Sequence, residues 1–130
     1  MIVVNFKTYE QATGEKAVAL AKICKQIVDA TGIRIVAVPQ LADIRACVGV
    51  GVECWAQHVD AVDPGRHTGF VLLEDVMASG AKGTLLNHSE HKLEREILKE
   101  SLVRIDAKIE ICVCAVNLPE CERVATLQPR

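Results

Sequence analysis

The chain has 130 residues, half of them hydrophobic, and a formal net charge of −2 at pH 7, so residues 1–130 can form one domain with a buried core. Aromatic residues make up only 3% of the sequence and the basic residues are scattered, which argues against a nucleic-acid-binding surface. No apolar stretch reaches membrane-spanning length and no signal peptide is recognisable, so we expect a cytoplasmic protein that binds neither nucleic acid nor membranes.

Five short apolar runs, rich in β-branched residues, alternate with longer stretches of helical periodicity. Their hydrophobicity is nearly continuous, which is typical of parallel strands that are covered on both faces. The predicted strands are residues 2–6, 33–38, 52–56, 83–86 and 109–114. The alternation therefore predicts an α/β domain of about five βα units around a parallel sheet.

An amphipathic helix is predicted between the first two strands, because apolar residues recur there at steps of three and four. Thr13 is the predicted N-cap, and Gly32 is predicted to end the helix in the left-handed conformation. The apolar stripe consists of Ala17, Leu20, Ala21, Cys24, Ile27 and Val28.

Four further helices are predicted, one after each of the remaining strands. The last begins at Asn117, an N-cap, with Glu120 three residues later as in a capping box. The inward residues of the other three are Leu41, Ile44 and Val48, then Leu73, Val76 and Met77, then Leu93, Ile97 and Ile105.

The connection over residues 58–70 is long for a strand-to-helix loop, since two to six residues are commonest. Such a loop is either functional or a tolerated surface insertion.

The six cysteines are irregularly spaced within apolar segments, which is typical of buried free thiols in a reducing compartment. The closest pair is Cys112 and Cys114, whereas a zinc site usually starts from Cys-x-x-Cys. We therefore expect free, mostly buried cysteines and no metal.

Polar residues follow three of the predicted strands, at the edge where parallel βα folds bind their ligands. Asn5 and Lys7 follow the first strand and share one face of an extended chain. His88 and Glu90 follow the fourth strand, and Cys114 ends the fifth. We expect Asn5, Lys7 and His88 to face one pocket, with Cys114 near its floor.

His88 is expected to lie at a helix N-terminus, where the macrodipole disfavours the imidazolium form. A neutral imidazole and the Lys7 ammonium could together stabilise the negative charge that develops on a carbonyl oxygen during enolisation. Glu90 is expected to pair with Lys7 or another lysine. Taken alone, Lys7 is more often an ordinary surface lysine and Asn5 a turn residue.

Five motifs, in this order along the chain, resemble the triosephosphate isomerase family, and its archaeal-type members in particular. They are Val-Asn-Phe-Lys-Thr-Tyr at 4–9, Val-Pro-Gln at 38–40, Ala-Gln-His at 56–58, Pro-Gly-Arg-His-Thr-Gly at 64–69, and Gly-Thr-Leu-Leu-Asn-His-Ser-Glu at 83–90. The resemblance implies a partial TIM (β/α)8 barrel. It also implies a glycolytic and gluconeogenic isomerase that interconverts dihydroxyacetone phosphate and D-glyceraldehyde 3-phosphate through an enediolate, with no metal and no cofactor.

Carried over from the family, Lys7 is the electrophilic lysine and Asn5 helps to bind the triose phosphate. His88 is the catalytic histidine that moves protons between the two substrate oxygens, and Glu90 supports the lysine.

The resemblance also implies that Ser89 and Cys114 support the site. Thr68 and Gly69 would lie at a subunit interface, because the family's long loop reaches into a neighbouring subunit. The complete protein would be a homo-oligomer, a tetramer in archaeal-type members or otherwise a dimer.

The chain also departs from the family, whose barrel has eight βα units and whose glutamate base follows the sixth strand. His91, Lys92 and Phe70 replace the family's more usual residues. We therefore expect a truncated barrel without units six to eight, an inactive fragment of the isomerase that is not a stable monomer. The alternative is a non-catalytic half-barrel that associates with itself or with a complementary chain. Another phosphate-sugar enzyme of the same fold is a weaker possibility.

Overall fold

A computed structural model describes residues 1–105 and 107–127. All five predicted strands are present, with slightly different bounds: β1 Ile2–Asn5, β2 Ile35–Val38, β3 Glu53–Ala56, β4 Gly83–Leu86 and β5 Glu110–Val113. Each strand pairs in parallel with the next one along the chain, in the order β1-β2-β3-β4-β5. The sheet is therefore a half-barrel, and the predicted α/β class is confirmed.

A helix follows each strand. The helices are α1 Glu15–Thr31, α2 Ile44–Val48, α3 Leu73–Ala78, α4 Arg95–Ile105 and α5 Leu118–Ala125, with short 3-10 turns at Glu10–Ala12 and Leu41–Asp43. None of the helices in the described part of the chain is long and apolar enough to span a membrane.

Of the two cap residues predicted for α1, one is confirmed and one is wrong. Gly32 ends the helix in the left-handed conformation, with a φ of 71°, as predicted. The prediction of Thr13 as the N-cap is wrong, because Gly14 holds that position and the Thr13 hydroxyl donates to the Tyr9 carbonyl, 3.0 Å away. Instead, Asp43 from a distant turn accepts the Gly14 N–H at 3.0 Å. A tertiary contact thus replaces the local cap.

The start of α5 confirms the predicted cap. The Asn117 side chain accepts the Glu120 N–H at 2.9 Å. The Glu120 carboxylate accepts the N–H of Val116 at 2.8 Å and not that of Asn117, so the reciprocal half of the capping box is displaced by one residue.

Four side chains predicted to face the core are between 39% and 45% exposed: Ile27, Leu41, Met77 and Ile97. In α4, Ile97 is exposed because the helix presents a different face to the core than the one predicted. The helix begins only at Arg95, and its apolar residues on one face follow steps of four and three. The buried face consists of Leu98, Ser101, Leu102 and Ile105.

The sheet is covered on both faces. The larger hydrophobic cluster lies between the strands and the helices. The smaller one fills the inner face of the half-barrel and consists of Val36, Val38, Trp55 and Leu85, with Val3, Cys112 and Cys114 packed against it. Side chains of alternating direction along each strand thus supply two separate cores.

An ion cluster lies where the strands begin. Arg34 donates to both carboxylate oxygens of Glu53, at 2.9 and 2.7 Å, and also contacts Glu110. The Arg34 guanidinium holds the pKa of Glu53 below its ordinary value, although burial opposes this. Glu53 also accepts the Trp55 indole N–H at 2.9 Å, so the cluster anchors the largest side chain of the inner core.

Gly83 leaves space for the Trp55 ring. A Cβ atom on Gly83 would lie 2.4 Å from that ring and 2.8 Å from the Glu110 carbonyl oxygen. Neither neighbour can move easily, because the ring is buried and the carbonyl belongs to the adjacent strand. A side chain is therefore excluded at this position.

We predict that Gly83→Ala lowers the free energy of unfolding by about 2 kcal/mol or more, because the added methyl group overpacks the inner core. Urea denaturation followed by circular dichroism measures the effect. The matched control is Gly65→Ala, where the nearest atom to the added Cβ lies at 3.7 Å and the change should stay within about 0.5 kcal/mol. Equal effects of the two substitutions would contradict the packing argument.

Candidate active site

One cavity of about 540 Å³ lies at the carboxyl ends of the strands. The segments that follow β1, β2, β3 and β4 surround it. Its lining residues are Asn5, Lys7, Thr8, Tyr9, Gln40, Leu41, Ala56, Gln57, His58, Val71, His88, Glu90 and His91. Asn5, Lys7, His88 and Glu90, which were predicted from the sequence, are thus brought together.

The chain after β1 is held in an uncommon conformation. Lys7 has a φ of 52°, and its N–H donates to the Asn5 side-chain oxygen at 2.9 Å. The Gln57 amide donates to the carbonyls of Lys7 and Val38, at 2.8 and 3.2 Å. The Lys7 backbone is thus fixed from both sides, while its ammonium extends into the cavity.

The Lys7 ammonium pairs with Glu90, as the sequence predicted, with Nζ 2.8 Å from Oε1. The hydrogen bond and charge of Glu90 raise the pKa of Lys7, and Lys7 in turn lowers the pKa of Glu90. Both groups therefore stay charged around neutral pH. A carboxylate held in this way is a poor proton acceptor.

Asn87 connects the end of β4 to β5 and α5. It is only 4% exposed and has a φ of 57°. Its amide donates to the Cys114 carbonyl at 3.0 Å and to Glu120 at 3.1 Å, and its oxygen accepts the Leu93 N–H at 3.2 Å. The turn that carries His88 is therefore anchored on both sides.

Glu120 has a role that sequence reasoning missed. Its carboxylate also contacts the Lys92 ammonium, which, with the backbone N–H of Val116, lowers the pKa of Glu120 to about 2. The cap position of Glu120 on α5 was visible in the sequence. Nothing in the sequence indicated its bond to Asn87, because that bond depends on how α5 packs beside the end of β4.

His88 follows β4 directly, but the helix expected behind it is wrong, because α4 begins only at Arg95. The macrodipole argument therefore does not apply. The ring contacts Glu90 twice: its Nδ1 accepts the Glu90 N–H at 3.2 Å and lies 3.6 Å from the Glu90 carboxylate. A neutral imidazole that accepts at Nδ1 carries its proton on Nε2 and can donate from there.

The other predicted residues lie away from the cavity. Cys114 is not among the lining residues and packs against the inner core, so its place near the pocket floor stays a prediction. Ser89 is exposed in the turn, and Thr68 and Gly69 are exposed in the long loop.

All six cysteines are free. Cys24, Cys47 and Cys54 are buried, Cys112 and Cys114 are half-buried, and Cys121 is exposed. Burial raises the pKa of Cys47 to about 11 and that of Cys54 to about 12, so these two thiols are unreactive near neutral pH.

We predict that Asn87→Gly lowers the free energy of unfolding by about 2 kcal/mol, because it removes three partly buried hydrogen bonds. Asn87→Ala should cost about 1 kcal/mol more, since alanine tolerates a positive φ worse than glycine. Urea denaturation of both variants tests this. If Asn87→Gly left the free energy of unfolding unchanged, a structural role for the three hydrogen bonds would be excluded. If the two variants had the same free energy of unfolding, a cost of the positive φ for alanine would be excluded.

Comparison with known proteins identifies relatives of the whole described region. The sequence profile of the family "Triosephosphate isomerase" matches residues 1–119. The chain is 40% identical over 131 residues to a triosephosphate isomerase from Methanothermus fervidus, covering 99% of this chain and 59% of that protein. It is 36% identical over 131 residues to one from Methanocaldococcus jannaschii, covering 99% of this chain and 60% of that protein.

A solved structure supports the fold. The crystal structure of triosephosphate isomerase from Bartonella henselae superposes with a TM-score of 0.79 over 98% of this chain and 60% of that one, at 17% sequence identity. The chain thus spans about three fifths of the length of the proteins that it matches.

Proposed function

Because this chain belongs to the triosephosphate isomerase family, we propose that its cavity is the electrophilic half of a site that interconverts dihydroxyacetone phosphate and D-glyceraldehyde 3-phosphate. The observation that carries this proposal is that Lys7 and His88 line one cavity, with Glu90 against the lysine. This substrate class would assign the protein to glycolysis and gluconeogenesis in the cytoplasm.

In the proposed reaction, the substrate carbonyl oxygen accepts hydrogen bonds from Lys7 Nζ and His88 Nε2. As a base removes a proton from the adjacent carbon, negative charge develops on that oxygen, and both donors stabilise it. His88 then gives its Nε2 proton to one oxygen of the enediolate and takes a proton from the other. Asn5 helps to hold the substrate beside Lys7.

We propose that the general base is a residue other than Glu90. Among the described residues, Glu90 is the only carboxylate that lines the cavity, and its pKa is lowered by the ion pair with Lys7. A general base needs a pKa near the working pH. We propose that the base and the phosphate contacts come from the part of the family sequence, about two fifths of its length, that these 130 residues do not match.

The experiment is a chimera in which this chain replaces the matching segment of the Methanothermus fervidus relative, measured in a coupled isomerase assay. We predict that the chimera is active and that the 130-residue chain alone is not. Lys7→Met and His88→Gln should each lower kcat/KM of the chimera by about 10²–10⁴-fold.

The matched control is Lys16→Met. Lys16 also forms an ion pair with a glutamate, Glu10, at 2.7 Å, but it does not line the cavity, so kcat/KM should be unchanged. A folded but inactive chimera, or activity that survives Lys7→Met, would overturn the proposed roles.

We also propose that the protein is a homo-oligomer, a tetramer in its complete form, with Thr68 and Gly69 at the interface. Support comes from the long loop, where Phe70 is 54% exposed beside these two exposed residues. Aromatic side chains are enriched at contact surfaces between subunits.

We predict that Thr68→Arg dissociates the chimera, because a bulky charge would be buried without a partner. Size-exclusion chromatography with light scattering should show a fall in molar mass to that of the monomer. Thr31→Arg, at the exposed end of α1, should leave the mass unchanged. A chimera that is monomeric before substitution would contradict the proposal.

A further inference from the structure

Two histidines from different segments stack at the wall of the cavity. The rings of His58 and His91 have centroids 4.1 Å apart and planes inclined at 30°. His58 follows β3, and His91 ends the turn after β4. The stack therefore joins the long loop to the turn that carries His88 and Glu90.

On the loop side, His58 is held firmly. Its side chain is 10% exposed, and Nε2 lies 3.1 Å from the Asp60 carboxylate. Asp60 is anchored in turn by Val71, whose N–H donates to the carboxylate at 2.6 Å and whose carbonyl accepts the Asp60 N–H at 2.9 Å. The loop thus presents the His58 ring as a fixed surface.

On the turn side, His91 is linked directly to the proposed catalytic residues. The His91 N–H donates to the His88 carbonyl at 2.8 Å, which closes the turn. Glu90 lies between them and contacts both Lys7 Nζ and His88 Nδ1. A displacement of His91 would therefore move His88 and Glu90 as well.

The charge state of the pair decides whether it can stack, because two adjacent imidazolium ions repel each other. Burial lowers the pKa of His58, while Asp60 raises it and His91 lowers it. Asp60 contacts His58, and the other titratable groups that line the same cavity are Lys7, Tyr9, His88 and Glu90.

The sign of the pH effect follows from the direction of that shift. Because the pKa of His58 in the folded chain lies below its ordinary value of 6.5, the folded state binds fewer protons than the unfolded state near that pH. The contribution of neutral His58 is fully present above pH 6.5 and is lost as the pH falls through the lowered pKa.

We propose that His91 is a positioning residue: stacked on His58, it holds the turn of His88 and Glu90 against the long loop, and protonation of the pair releases that turn. The catalytic consequence rests on the proposed isomerase function. The structural consequence, which is release of the turn, does not depend on that function.

Two variants separate stacking from protonation. His91→Phe keeps a flat ring that cannot be protonated, whereas His91→Ala removes the ring. NMR on the full 130-residue chain measures amide hydrogen exchange at residues 90 and 91, which are Glu90 and His91 in the wild type. This exchange shows how firmly the turn is held and does not require enzymatic activity. At pH 7.5 we expect exchange of the Phe variant to match the wild type, and exchange of the Ala variant to be about tenfold less protected.

At pH 5.5 the wild type should lose protection in this turn, beyond the intrinsic pH dependence of exchange, and the Phe variant should lose less, because only His58 can be protonated in its stack. The two proteins differ only at residue 91, so the difference between them isolates the stacked pair. In the chimera, His91→Ala should lower kcat/KM about tenfold at pH 7.5, because the donors are misplaced, and His91→Phe should restore it.

Equal protection in all three proteins at pH 7.5, or the same acid loss in the wild type and the Phe variant, would overturn the proposal. If exchange behaves as expected but the chimera is inactive, the positioning of the turn stands and only the isomerase function fails.

Discussion

The whole structure depends on a parallel sheet whose two faces are both buried. On the inner face, the Trp55 ring occupies the volume that Gly83 leaves free. The indole N–H is satisfied by Glu53, which Arg34 holds in place. A buried indole needs such a partner. The ion cluster and the inner core are thus one unit that sets the spacing of the strands at the end where they begin.

The opposite end of the sheet is organised by a buried polar side chain. Asn87 satisfies the Cys114 carbonyl and the Leu93 N–H and shares the Glu120 carboxylate with Lys92. An unsatisfied polar group there would be costly, so the network has essentially one arrangement. That arrangement fixes where the chain leaves β4, and hence where His88 begins.

The two ends also differ in what their charges do. At the beginning of the strands, the Glu53 and Glu110 carboxylates both contact Arg34. At the carboxyl ends, Lys7 and Glu90 pair at the rim of a cavity, and the lysine keeps its charge. The Arg34 cluster supports the Trp55 indole through Glu53, whereas Lys7 and Glu90 line a space large enough for a small substrate.

Hydrophobic periodicity in the sequence determined the five strands and their parallel sheet. Residue types at the helix ends, such as Gly32 and Asn117, determined where those helices end or begin. These features are local, because a cap or a strand repeat is set within a few residues. The sequence also indicated which strand ends carry Lys7 and His88. Only the tertiary structure decided that Cys114 faces the inner core, and only it brought His58 onto the turn after β4. Such contacts depend on strand phase and on how a long loop folds back, and no short-range pattern encodes either of them.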